Sequence, residues 1–211
     1  MNTTSKLDDQ ELLHLALRAS GENRHEDAIK HLKEAIELAP KNAKAHYMLG
    51  AEHAEIGLYD RAAEEMAHAV KLDPTLTTAS FQLGLLHITS GRLSEAEQAW
   101  KALDKLGENN PLYLFKSGML HLARDEFDAA TDAIKKGIAL NKANDALNRD
   151  MLGMLKQIES RETTGTPSAT AAAPVAPTSK KEAAKKPGSH VLLSAYKQNR
   201  GETDKEDKEK D

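Results

Sequence analysis

The sequence predicts an all-α chain built from stacked helix pairs, and three observations carry that reading. The first is spacing. Ala16, Gly50, Gly84 and Gly118 stand 34 residues apart, as do Ala28, Ala62, Ala96 and Ala130. Two more registers keep the same step: Leu32, Met66, Trp100 and Ile134, then Ala35, Ala69, Leu103 and Gly137. A fixed period of this length marks a repeat architecture. The second is composition. Aromatic residues make up 4% of the chain, while Ala, Leu, Glu and Lys abound, which favours helices over sheets. The third is that apolar residues recur at helical spacing within each copy.

Four copies follow in order, at about 9–42, 43–76, 77–110 and 111–144. Each reads as two helices. In the second copy, AKAHYMLGAEHAEI forms the first, Gly57 stops it, and YDRAAEEMAHAVKL forms the next before Asp73 and Pro74. Gly21, Gly57 and Gly91 suit a position just past a helix, where a left-handed backbone is needed. The fourth copy has Arg124 and Asp125 there, which predicts a different turn geometry. Pro40 and Pro74 end the first two copies, and Glu108 and Lys142 take their places later. Small residues at the Gly50 and Ala62 registers let paired helices approach closely. A fifth segment, 145–161, is expected to cap the array. Its apolar Leu147, Met151, Leu152, Met154, Leu155 and Ile158 would cover the last repeat and leave charged residues to water.

After Arg161 the composition changes. Residues 163–189 are rich in Ala, Thr, Pro and Lys, too poor in apolar surface to fold, and read as a disordered linker. A tail, 190–211, follows. Within it Val191, Leu192, Ala195 and Tyr196 fall at helical spacing on one face. So short a helix is unstable alone in water, so this docking motif is expected to order on a partner. The docking site would be this chain's own groove, another copy or another protein.

Charge and motifs exclude most other roles. Residues 1–162 hold 20 Lys/Arg against 26 Asp/Glu, a net of −6. Such an acidic body argues against nucleic-acid binding by the main domain. The Lys180, Lys181, Lys185 and Lys186 cluster is the basic exception, and it carries the alternative of a membrane- or nucleic-acid-associated adaptor. There is no cysteine, so disulfides and thiolate chemistry are excluded. The start, MNTTSKLDDQELL, has no signal-peptide core, and no apolar run approaches the ~18 residues of a membrane span. A soluble, cytoplasmic protein is expected. His53, His87 and His121 repeat at 34, which spreads them over three repeats and predicts no metal site. No phosphate loop, nucleophile elbow or converging carboxylates appear, so neither catalysis nor a cofactor is expected.

The period, the pairs Leu49–Gly50 and Leu83–Gly84, the alanine registers and the helix-ending prolines resemble the tetratricopeptide repeat family over about residues 9–142. Departures are local. The family's aromatic early in the first helix is replaced by Leu12, His46, Ser80 and Leu114, and its later tyrosine by Ala19, His53, His87 and His121. The resemblance implies a right-handed superhelical solenoid whose first helices line a concave groove. It assigns the groove to the second, fifth, sixth, ninth, twelfth and thirteenth positions of each repeat. In the first two copies these include Leu13, Leu17, Lys44, Tyr47 and Met48. In the last two they include Phe81, Gln82, Leu85, Ile88, Leu112, Phe115, Lys116, Met119 and Leu122. Only Lys44 and Lys116 could help to clamp a carboxylate, so an apolar floor is expected instead. Its ligand would be a partner peptide or amphipathic helix, and the protein an adaptor, assembly factor or chaperone.

Overall fold

The computed structural model describes residues 7–164. Among them are nine α-helices and no strand. They are α1 (Asp9–Gly21), α2 (His25–Leu38), α3 (Ala43–Glu55), α4 (Tyr59–Leu72), α5 (Thr77–Thr89), α6 (Leu93–Trp100), α7 (Pro111–Leu122), α8 (Phe127–Leu140) and α9 (Asp145–Thr164). The helices pair as the 34-residue period requires, and the fold is an all-α helical repeat. The described residues fall into two compact units, the first ending at Ser80 and the second beginning at Phe81. The linker, the tail and the docking motif lie outside the described residues.

Helix starts are set by side chains that satisfy free backbone N–H groups. At α1, Asp8 accepts from the Glu11 N–H at 2.8 Å, and the Glu11 carboxylate accepts from the Asp8 N–H at 2.9 Å. That is a reciprocal capping box. Asn42 caps α3, and Asn110 caps α7 just before Pro111.

The turns inside the repeats correct two expectations. Between the two helices of each repeat, the residues with positive φ are Asn23, Gly57, Gly91 and Asp125. They stand 34 apart, so Asn23, not Gly21, is the first member, and Gly21 is the last residue of α1. The fourth turn keeps the common geometry through Asp125 (φ 58°) instead of adopting another one. Asn and Asp tolerate this region because a short polar side chain can bond locally.

Each repeat is held by side chains meeting at the small registers. Ala28, Ala62, Ala96 and Ala130 are fully buried. A Cβ on Gly50 would lie 2.9 Å from the Met66 side chain, and one on Gly118 would lie 2.6 Å from that of Ile134. In the third repeat Trp100 holds the same place. Its Nε1–H donates to the Phe81 carbonyl at 2.8 Å, and its ring stacks on Phe81 at 6.1 Å between centroids. A Cβ on Gly84 would come within 2.0 Å of that nitrogen.

The third repeat also departs from the expected full-length helix pair. α2, α4 and α8 each run 14 residues, whereas α6 runs eight. The chain then tightens into a 3-10 segment, Lys101–Leu106, which still buries Leu103. Behind α8, where a proline is missing, asparagines make the turn. Asn141 bonds the Asn144 carbonyl and the Asn148 side chain, and Asn148 returns to the Asn141 carbonyl at 2.8 Å. α9 then packs Leu147, Met151, Leu155 and Ile158 into the same core as Ile134 and Phe115. It runs to Thr164, beyond the expected 161. Leu152, expected on the covered face, is 45% exposed, because that face is narrower than the apolar composition suggests.

Candidate partner-binding site

The residues assigned to the groove divide sharply by position. The fifth- and sixth-position side chains are mostly interior. Leu13, Tyr47, Met48, Phe81, Gln82, Phe115 and Lys116 are all buried. Phe115 touches the bare Cα of Gly137, where a Cβ would lie 2.5 Å from the ring, and stands 6.4 Å from the Phe81 ring. Met119, at the ninth position, is buried too. As the side chains are placed, these residues hold helices together, so the expected apolar floor is smaller than the sequence suggested. Large apolar groups at those positions meet the neighbouring helices before they meet solvent.

What remains open differs between the units. In the first, Leu17 is half-buried and Lys44 exposed. In the second, Leu85 and Ile88 of α5 and Leu112 and Leu122 of α7 are half-buried and pack on the core cluster. These are second, ninth and twelfth positions. Lys116 is engaged, forming an ion pair with Asp104 and lying over the Tyr113 ring at 4.7 Å from its centre. Val191, Leu192, Ala195 and Tyr196 lie outside the described residues.

Of the polar residues that replace the expected aromatics, His46 has a clear local role. His46 bonds Glu65 at 2.7 Å and the Pro40 carbonyl at 3.1 Å, with the His68 ring 4.4 Å away. His25, at the start of α2, bonds the buried Glu52 of α3 at 2.8 Å. Burial lowers the pKa of His53, opposed by the Glu65 carboxylate and helped by Lys33 and Arg61. Burial lowers that of His87 as well, with Arg92 adding to it and Glu95 opposing. Among the described residues, no group of three His, Asp or Glu side chains is placed to hold a metal ion.

The second unit also carries a concavity away from the positions assigned to the groove. A groove of about 650 Å³ runs between α7 and α8, lined by Tyr113, Leu114, Ser117 and His121 on one side and Ala133, Lys136 and Leu140 on the other. At its upper end Ala129 also lines a neighbouring hollow of about 440 Å³ with Asp125, Glu126 and Asp128. The sequence signal for it was available. Ser117 and Ala133 stand where the second repeat has Leu49 and Glu65, two losses of bulk at facing registers.

Residues 21–57 match a family model described as TPR repeat, and 43–76 match one described as tetratricopeptide repeat. The overlapping matches fall on the period and the glycine registers already described. This is a tetratricopeptide repeat protein. Solved structures of similar fold agree with it. A chain of the APC/C hetero-tetramer Cut9–Hcn1 aligns with TM-score 0.65 at 16% identity, over 74% of this chain and 30% of that one. This repeat protein therefore spans about a third of that chain. A tetratricopeptide repeat protein from Parabacteroides merdae aligns with TM-score 0.62 at 16% identity, over 76% and 62% of the two chains. MamA from Desulfovibrio magneticus aligns with TM-score 0.54 at 15% identity, over 75% and 97%. No curated protein matches in sequence. At these identities the likeness is one of fold. Tetratricopeptide repeats mark the protein as a protein–protein interaction scaffold in the general sense. Among the described residues, no helix is long and apolar enough to cross a membrane.

Proposed function

We propose that this tetratricopeptide repeat protein is an adaptor or chaperone that grips an apolar anchor of a partner peptide or helix on the first-helix face of its second unit. The half-buried row of Leu85, Ile88, Leu112 and Leu122 carries the reading. Its side chains are seated on a packed core yet keep part of their surface in water. They are therefore pre-positioned, and a partner would not have to order them. Burying one large apolar anchor there contributes ~1.5–3 kcal/mol before the costs of association. Two such anchors would support a moderate, exchangeable affinity, suited to an adaptor. Phe81, Phe115 and Met119 support the site from beneath and do not touch the partner.

The test compares capture by full-length wild type with that by Leu85→Glu and Leu122→Glu, read by quantitative mass spectrometry of bound proteins. Both variants should retain the wild-type far-UV circular dichroism and lose the same partners. Undiminished capture by both would overturn the proposal. Phe115→Glu is unsuitable for this purpose, because burying a charge there would unfold the unit.

A further inference from the structure

The groove between α7 and α8 lies on the other side of α7 from the Leu112 and Leu122 row. At 100° per residue, Tyr113, Ser117 and His121 fall roughly opposite Leu112, Met119 and Leu122. It is therefore a separate surface, and its occupant is a separate question. The second repeat fills the matching space from within. There Leu49 is buried, and Glu65 and His68 both engage His46. The fourth repeat replaces these with Ser117, Ala133 and Lys136, leaving an open channel whose lining mixes Leu114, Ala133 and Leu140 with Asp132, Lys136 and His121.

We infer that this groove is the docking site for the chain's own segment 190–197, seated through Val191, Leu192, Ala195 and Tyr196. Three observations select that occupant. The first is length. The groove follows α7, whose 12 residues span ~18 Å. As a helix, eight tail residues would span ~12 Å. The apolar face of 190–197 thus fits within the groove with room for the flanking charges.

The second is reach. Leu140 lines the groove and is followed within five residues by Asp145, the start of α9. α9 has 20 residues and so is ~30 Å long. The stretch 165–189 can bridge at most ~80 Å when extended, and ~25–30 Å as a flexible coil of this length. Even the shorter figure is about the length of α9, enough to lead back to the Leu140 end of the groove.

The third is the order of charges. α7 and α8 run in opposite directions, so His121 and Ala129 sit at one end of the groove and Glu108 and Leu140 at the other. The first end opens into the hollow lined by Asp125, Glu126 and Asp128. In the tail, Lys180, Lys181, Lys185 and Lys186 precede the apolar motif, while Lys197 and Arg200 follow it. Basic residues thus flank the motif on both sides, and acidic residues stand at both ends of the groove. Both ends then set a basic group against an acidic one.

The chain has no cysteine, so one introduced thiol reports without ambiguity. A spin label on full-length Ser194→Cys should broaden the amide signals of Ser117, His121, Ala133 and Lys136. Reducing the label, or adding Leu192→Asp with Tyr196→Asp, should restore them. The double tail variant leaves the repeats untouched, so it does not depend on the stability of a groove mutant. Ala133→Glu, which restores the second repeat's bulk, should also release the label. Mixing labelled unenriched chain with unlabelled isotope-enriched chain separates the sources. Broadening seen only in that mixture would assign the groove to a second copy and overturn the proposal. Broadening at Leu85 and Leu122 instead, or none anywhere, would overturn it too. Because the two surfaces are distinct, the double tail variant should leave partner capture through Leu85 and Leu122 intact, so either idea can fail alone.

Discussion

At the scale of single residues, the clearest lesson lies in the four left-handed turns. Asn23 and Asp125 occupy backbone conformations that glycine holds at Gly57 and Gly91. A left-handed conformation costs an L-residue ~1–2 kcal/mol, and less for Asn and Asp. Asp125→Gly should therefore raise the stability of the second unit by up to ~1 kcal/mol, and Gly91→Ala should lower it by ~1 kcal/mol or more, read from denaturant midpoints. Burial acts on histidine by a different route. His53 and His87 have folded-state pKa values below the ordinary 6.5. The unfolded chain thus takes up protons at higher pH than the folded one. Above 6.5 both states are neutral at these positions and they leave stability unchanged. As pH falls from 6.5 toward the folded value, both residues cost stability. The difference in unfolding midpoint between wild type and His87→Gln should accordingly move against wild type from about pH 7.5 to about pH 5.5.

At the scale of elements, three glycines separate close packing from open space. Gly84 faces the Trp100 indole, whose nitrogen is held by the Phe81 carbonyl and cannot retreat cheaply. Gly84→Ala should cost ~1–3 kcal/mol or more. Gly118 faces the side chain of Ile134 at 2.6 Å, whose torsions offer some relief, so Gly118→Ala should cost less than Gly84→Ala. Gly153, inside α9, has nothing within 4 Å of a Cβ, and Gly153→Ala should stabilise by ~0.5–1 kcal/mol. Thermal unfolding of the three single variants ranks them directly. The sequence shows all three as glycines, and only the partner helix tells them apart. The same holds for α6. Trp100 stands in an otherwise ordinary register, which gives no sign that the helix stops at eight residues.

At the scale of the whole molecule, α9 shows how a repeat array is closed. Met151 is 1% exposed and belongs to the core cluster, whereas its neighbour Leu152 is 45% exposed. Met151→Ala should cost ~2–5 kcal/mol, while Leu152→Ala should stay within ~0.5 kcal/mol of wild type, as measured by chemical denaturation. A small array depends on this cover, because the last repeat has no successor to bury its apolar face.

The sequence alone determined the class of fold, the 34-residue period and the paired helices. Each depends on local propensity and on residues recurring at fixed steps, which a single chain displays openly. It also marked the residue types of the first-helix positions. It did not determine which of those side chains reach solvent. Tyr47, Phe81 and Phe115 look like ligand-binding aromatics until neighbouring helices are seen to bury them, while Leu85 and Leu122 keep part of their surface open. The groove between α7 and α8 was likewise written as Ser117 and Ala133, residues 16 apart whose facing requires the helix pair to close. Tertiary structure decided these points because burial is a property of what lies opposite a side chain, and the period says nothing about how much space the opposite side chain fills.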